Sequence, residues 1–151
     1  MRAWLMLAIL AVAAPDRLDP RPMDNRPLKE KMDGQWQLVN SVISGQGQDP
    51  SSFPATVYTF SPGRLVTRSA KQPQGASFGV VLDDQHTPAH IDFIAGSAEP
   101  KTTYPGIVKL EGDLLTLCFT RSVNGQRPTE FAAPADAQRM IALFQFKRIG
   151  G

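Results

Sequence analysis

Apolar and polar residues alternate along most of the chain from residue 35 onward. The first run places Trp36, Leu38 and Val42 on one side of a strand, because successive strand side chains point to opposite faces. Turn residues interrupt the pattern about every ten positions, which is typical of an antiparallel sandwich or barrel. Further strand-like runs lie at 56–60, 64–70, 76–83, 90–95, 106–120 and 140–148.

Two short segments predict hairpin turns. Gly112-Asp113 divides the run 106–120 into two strands. Asn124-Gly125 is a favoured two-residue turn, and it predicts one more short strand around 127–131. Because Pro128 cannot donate a ladder hydrogen bond, that strand should lie at an edge or be very short.

The count of these runs predicts an all-β domain of eight or nine strands, with at most a short helical turn in the segment "LKEKMDGQW" before the first one. We expect a single antiparallel up-and-down barrel, because closure removes the exposed edges of a chain this rich in strands.

The last strand indicates how the barrel closes. Phe144, Phe146 and Arg148 share one side of it, and a cation beside two phenylalanines needs a partner. If the first and last strands pair, Arg148 can stack on the Trp36 ring in a cation–π contact. Gly34 would let the chain pass close beneath the barrel floor. We therefore predict a seam marked by Gly34, Trp36 and Arg148.

A Gly-x-Trp in the first strand and a basic residue near the end of the last resemble the pattern of lipocalins and other calycins. More narrowly, residues 32–148 resemble a lipocalin-like domain family abundant in planctomycete bacteria. The segments that carry the resemblance are "GQWQLVN", "YTFSPGRLVTR", "IDF", "YPGIVKLEGDLLTLCFT", "RPTEF" and "FQFKR". It implies the architecture of a barrel that binds small ligands, and it implies no catalytic residues.

Residues 1–13 have the layout of a secretory signal peptide. Arg2 precedes an apolar run, and Ala11 and Ala13 form an A-x-A pattern. The run is shorter than the roughly 20 residues of a membrane-spanning helix. A buried N-terminal helix is the alternative. The first interpretation predicts an exported protein, periplasmic or extracellular, whose mature chain has no transmembrane segment.

The prolines and alternating charges of residues 14–31 predict a flexible tether. The folded domain is then expected to cover 32–149. Its surface gives no sign of a nucleic-acid partner, because the formal net charge of the whole chain is only +2 and its basic residues are scattered.

The residues best suited to chemistry form no recognisable catalytic or metal site. His86 and His90 have the spacing of metal ligands on a helix, but Pro88 between them excludes that helix. Asp83-Asp84 begins no calcium-loop pattern. Cys118 lies between two apolar residues, where burial raises the thiol pKa and lowers its reactivity. We therefore predict no metal, no cofactor and no enzymatic activity.

The aromatic residues of the predicted strands either line a cavity or fill it; they are Tyr58, Phe60, Phe78, Phe93 and Phe119. Arg127 and Glu130 either pair with each other or orient a ligand's charged group at the barrel mouth. We expect the loops 45–54, 71–75 and 121–139 to cap that mouth.

The preferred interpretation is a non-enzymatic binding protein for a small apolar or amphipathic ligand. A packed barrel that contacts another protein or the cell envelope is the alternative, and an enzyme ranks third.

Overall fold

The computed structural model describes residues 24–49, 56–122, 125–136 and 139–149. The predicted signal peptide, residues 14–23 of the predicted tether, part of the loop 45–54 and Asn124 lie outside these ranges. Within them the chain forms one short helix, α1 (Leu28–Met32), and nine strands. The strands are β1 (Gly34–Ile43), β2 (Gln46–Gly47), β3 (Val57–Ser61), β4 (Arg64–Arg68), β5 (Ala76–Asp83), β6 (Ala89–Ala95), β7 (Thr102–Glu111), β8 (Leu114–Thr120) and β9 (Ile141–Arg148).

Eight of these strands form a closed antiparallel barrel. Strands β3 to β9 follow one another in chain order around the sheet, and β1 pairs with both β3 and β9. The short strand β2 pairs only with the end of β1, where Val42 lies opposite Gly47. The predicted all-β, up-and-down barrel is therefore confirmed, with β2 as an extra strand within a segment predicted to be loop.

The seam between β1 and β9 contains a bulge that the alternating pattern does not reveal. Trp36 lies opposite Arg148 and Leu38 opposite Phe146, but the register shifts between Leu38 and Asn40. A bulge moves the following side chains to the other face of the strand. Trp36 and Leu38 consequently pack in the interior, whereas Val42 packs against a separate cluster. The prediction that all three share one face is wrong for Val42.

The end of the barrel below Trp36 is closed by α1. The Trp36 indole Nε1 donates a hydrogen bond to the Met32 carbonyl at 2.8 Å. The Arg148 guanidinium lies 4.2 Å from the Trp36 ring centroid and donates to the carbonyls of Asp33 and Lys31. These contacts explain a half-buried cation on an aromatic face, because the carbonyls and the ring replace part of its water.

Gly34 has the close approach that its position in the sequence predicts. Its φ is +125°, and a Cβ at this position would lie 3.3 Å from Arg148 Nη1. Only glycine adopts this backbone conformation without strain.

A second apolar cluster lies outside the barrel, covered by residues 125–136, which we call the strap. Ile107 belongs to this cluster although its neighbour Val108 faces the interior, so Ile107 points outward. Cys118 pairs with Ile107 across β7 and β8. The Cys118 thiol donates to the Glu130 and Ala132 carbonyls of the strap at 3.5 Å each.

The strap corrects the prediction of a strand around 127–131. These residues are described and form no strand. Pro128 offers no backbone N–H to a ladder. The segment is instead held by side-chain contacts, such as the Lys109 ammonium 4.7 Å from the Phe131 ring centroid.

Candidate functional site

A cavity of about 260 Å³ lies inside the barrel; we call it the aromatic cavity. It extends to Arg121, which follows β8 at the end of the barrel opposite Arg148. The other end of β8 is Leu114, which pairs with Lys147 next to Arg148. Its lining residues are Tyr58, Leu65, Thr67, Phe78, Phe93, Tyr104, Phe119 and Arg121. At about 30 Å³ for each water in the liquid, this volume holds roughly nine waters, or a ligand of similar heavy-atom count.

Most of the cavity wall is built from residues that lie directly opposite each other on neighbouring strands. One such pair is Leu65 of β4 with Phe78 of β5, and another is Phe93 of β6 with Tyr104 of β7. Cross-strand neighbours on one face lie in side-chain contact. The pairing of strands therefore brings residues distant in sequence to one wall.

Edge-to-face ring contacts hold the aromatic wall in place. The Phe119 ring centroid lies 5.4 Å from that of Phe93 and 5.3 Å from that of Phe144. Tyr58 packs on Phe146 with centroids 4.5 Å apart. Such pairs contribute about 0.5–1.5 kcal/mol each beyond the area they bury, so the wall is organised before any ligand arrives.

The lining also carries polar groups. Tyr58, Thr67 and Tyr104 supply hydroxyls, and Arg121 supplies the single charged group among the lining residues. Burial raises the pKa of the Tyr58 phenol, and the nearby positive charge of Arg121 acts in the opposite direction. The phenol therefore stays neutral at physiological pH and remains a hydrogen-bond donor. The cavity combines an apolar wall with a small set of donors.

Of the five aromatic residues singled out from the sequence, four line this cavity. They are Tyr58, Phe78, Phe93 and Phe119. Phe60 is buried, and it borders a separate hollow of about 310 Å³ under α1 that Met32 also lines. Phe60 and Tyr58 thus border two different hollows, one under α1 and one inside the barrel.

The placement of Arg127 at the barrel mouth is wrong. Its Nη2 lies 2.8 Å from Asp92 Oδ1, and its Nη1 donates to the Gly106 carbonyl at 2.7 Å. Asp92 stands between Ile91 and Phe93, which both face the interior, so Asp92 points outward. Arg127 consequently fixes the strap to the outer face of the barrel.

Glu130 also lies away from the aromatic cavity. It is exposed on the strap and borders a small cleft near Arg139. No ion pair joins Arg127 and Glu130, both of which lie in the described part of the chain. Arg127 and Glu130 therefore neither pair with each other nor line the aromatic cavity.

Three lining residues with polar groups, Thr67, Tyr104 and Arg121, were missed from the sequence. Leu115, Leu117 and Phe119 alternate into the interior along β8, and Arg121 continues that alternation by one step. Following the strand beyond Thr120 would have found it. Tyr104 was missed because the predicted strand began at 106, whereas β7 begins at Thr102 and includes a proline.

Two of the loops predicted to cap the mouth lie in different parts of the molecule. Residues 71–75 connect β4 to β5 next to Thr67, which lines the aromatic cavity. Part of 121–139 is the strap, which covers the outer cluster instead.

The two histidines stack on each other with ring centroids 3.8 Å apart. His86 Nε2 lies 3.4 Å from Asp83 Oδ2. Partial burial, with the charges of Arg127 and His86, lowers the pKa of His90. Among the described residues, no three His, Cys, Asp or Glu side chains lie close enough together to hold a metal ion.

Cys118 is fully buried, and this burial raises the pKa of its thiol, as its apolar neighbours predict. A protonated thiol beneath the strap is a poor nucleophile. In the described ranges, α1 is far shorter and less apolar than a membrane-crossing helix must be.

Comparisons of the chain with protein-family models, with curated proteins and with solved structures found no match. What the cavity can bind therefore has to be argued from its own geometry.

Proposed function

We propose that this protein is an exported, non-enzymatic binding protein that holds one small apolar or amphipathic molecule in the aromatic cavity. The observation that carries the proposal is the open volume of about 260 Å³ beside Tyr58, inside a closed barrel. An eight-stranded barrel has room either for its own side chains or for one small ligand, and here the side chains leave part of the interior unfilled.

The composition of the wall supports an apolar or amphipathic ligand. Five aromatic rings and Leu65 form most of it, with few polar groups. Small-molecule sites are typically apolar with a small number of placed polar groups, and burying apolar ligand surface contributes roughly 25 cal/mol per Å². We also propose that residues 32–148 are related to the lipocalin-like domains that they resemble. That relationship would support the same function, because the resemblance implies a barrel that binds small ligands. Export rests on the signal-peptide pattern of residues 1–13.

The exposed apolar residues favour this function over a packed interaction module. The large hydrophobic side chains that are exposed in the described ranges are Val81, Met140 and Ile149. Val81 lies on β5, which is not adjacent to β9 in the sheet, and the other two flank opposite ends of β9. Scattered single residues of this kind are normal on a soluble surface and mark no interface.

The proposal is tested by filling the cavity. Thr67→Phe adds a ring to the cavity wall, whereas Val66→Phe adds the same ring one residue earlier on β4, on the outward face. Octanol, with about nine non-hydrogen atoms, matches the cavity volume by the water-volume scale. Isothermal titration calorimetry should detect octanol binding to the natural protein and to Val66→Phe, and none to Thr67→Phe.

Circular dichroism and thermal unfolding of both variants establish that the barrel is intact. Absence of octanol binding to the natural protein contradicts the proposal. Undiminished binding to a folded Thr67→Phe variant contradicts it as well, because the ligand would then lie elsewhere.

A further inference from the structure

We propose that the natural ligand is a small monocarboxylate with an apolar body, whose acid group pairs with Arg121 while its body lies against the aromatic wall. This inference rests on the proposed function and adds the chemical class of the ligand. It is carried by a cation at one end of an otherwise uncharged apolar cavity.

Arg121 is an exposed residue whose backbone is hydrogen-bonded and whose side chain forms no ion pair with a described residue. It follows β8, and its N–H donates to the Met140 carbonyl at 2.9 Å. None of the ion pairs among the described residues includes Arg121. Arg127, by contrast, has Asp92 at 2.8 Å. A guanidinium of this kind is free to bind an anion that enters the cavity.

Tyr58 offers a second donor within reach of the same charge. Its half-buried ring is fixed against Phe144 and Phe146, and none of the hydrogen bonds among the described residues uses its hydroxyl. The charge of Arg121 is felt at this phenol, so the two groups share one local environment. A hydroxyl that has no partner among the described residues gains from an acceptor that enters the cavity, and a carboxylate has a second oxygen to offer.

The charge of the lining favours a monoanion over other ligands. Arg121 is its single charged residue, with no carboxylate beside it. A cationic ligand would meet like charge there, and a dianion such as a phosphate monoester would keep one charge uncompensated. A planar carboxylate accepts two parallel N–H donors from a guanidinium. The cavity volume leaves space for about nine non-hydrogen atoms in all.

The test compares octanoate with octanol, which have eight carbons each and differ in head group and charge. Calorimetry at neutral pH gives the ratio of their affinities for the natural protein, for Arg121→Gln and for Arg68→Gln. Arg68 is an exposed arginine on β4 outside the cavity lining, so its variant loses the same charge at a different place.

We expect the natural protein and Arg68→Gln to prefer octanoate by about two- to fivefold, because solvent weakens an ion pair with an exposed guanidinium. Arg121→Gln should reduce the ratio to about one. A Tyr58→Phe variant should lower the ratio in the same direction without removing the charge.

The failures of the two proposals are distinguishable. If octanol binds but octanoate binds no more tightly, or if Arg121→Gln keeps the preference of the natural protein, the ligand class is wrong and the cavity remains a binding site. If neither compound binds any of the proteins, the proposed function itself fails.

Discussion

Arg148 and Trp36 are the residues whose roles follow most directly from sequence. Arg148 shares one parity with Phe144 and Phe146, and a cation there required a partner that only a closed sheet could provide. In the structure its guanidinium lies over the Trp36 ring and donates to carbonyls next to α1. Such a contact can be predicted from sequence because a charge on an apolar face is costly unless it is paired.

At the same scale, Trp36→Ala should strongly destabilise the barrel. The ring is fully buried, and its loss removes the stacking partner of Arg148 and leaves a cavity. The free energy of unfolding, measured by urea denaturation, should fall by about 3–5 kcal/mol. Val81→Ala, at a side chain that is 53% exposed, is the matched control and should change it by less than about 0.5 kcal/mol. A near-neutral Trp36→Ala would show that the seam does not depend on this contact.

At the level of elements, alternation predicts strands well and their irregularities poorly. The turn at Gly112-Asp113 and the strands on each side of it are where the sequence places them. The bulge after Leu38 reverses the face of Val42, and no change in composition announces it. Pro105 lies within β7 opposite Asp92, although proline is unusual inside a sheet. That one residue hid Tyr104 from the predicted strand.

The strap is a segment for which the local pattern predicts a strand that does not form. An Asn-Gly pair after a strand is typical of a hairpin, but tertiary contacts fix this segment against the outer cluster. The decisive contacts are those of Arg127 with Asp92 and with the Gly106 carbonyl. They join positions far apart in sequence, so local pattern alone could not reveal them.

The strap should therefore control access to Cys118. Arg127→Gln removes an ionic contact that holds this segment, and local opening should become more frequent. We expect the rate at which dithiobis(nitrobenzoate) modifies the Cys118 thiol to rise by at least about tenfold. This factor corresponds to the free energy of one charge-assisted hydrogen bond. Arg68→Gln is the control and should leave the rate unchanged. Equal rates in the two variants would show that Arg127 does not secure the strap.

For the whole molecule, parity gives the direction of side chains but not the volume that they enclose. The predicted aromatic residues border two separate hollows, one beside Phe60 under α1 and one beside Tyr58 inside the barrel. The closed barrel was accessible from sequence, whereas the position of its cavity required the three-dimensional arrangement.

The most direct test of the account is where octanol lies when it binds. In a nuclear Overhauser experiment on isotope-labelled protein with saturating octanol, we expect cross-peaks between the octyl chain and the rings of Phe93 and Phe119, which line the aromatic cavity. Cross-peaks confined to Met32 and Phe60 would place the ligand in the hollow under α1 instead. That result, or the absence of any intermolecular cross-peak, would contradict the claim that the aromatic cavity is the binding site.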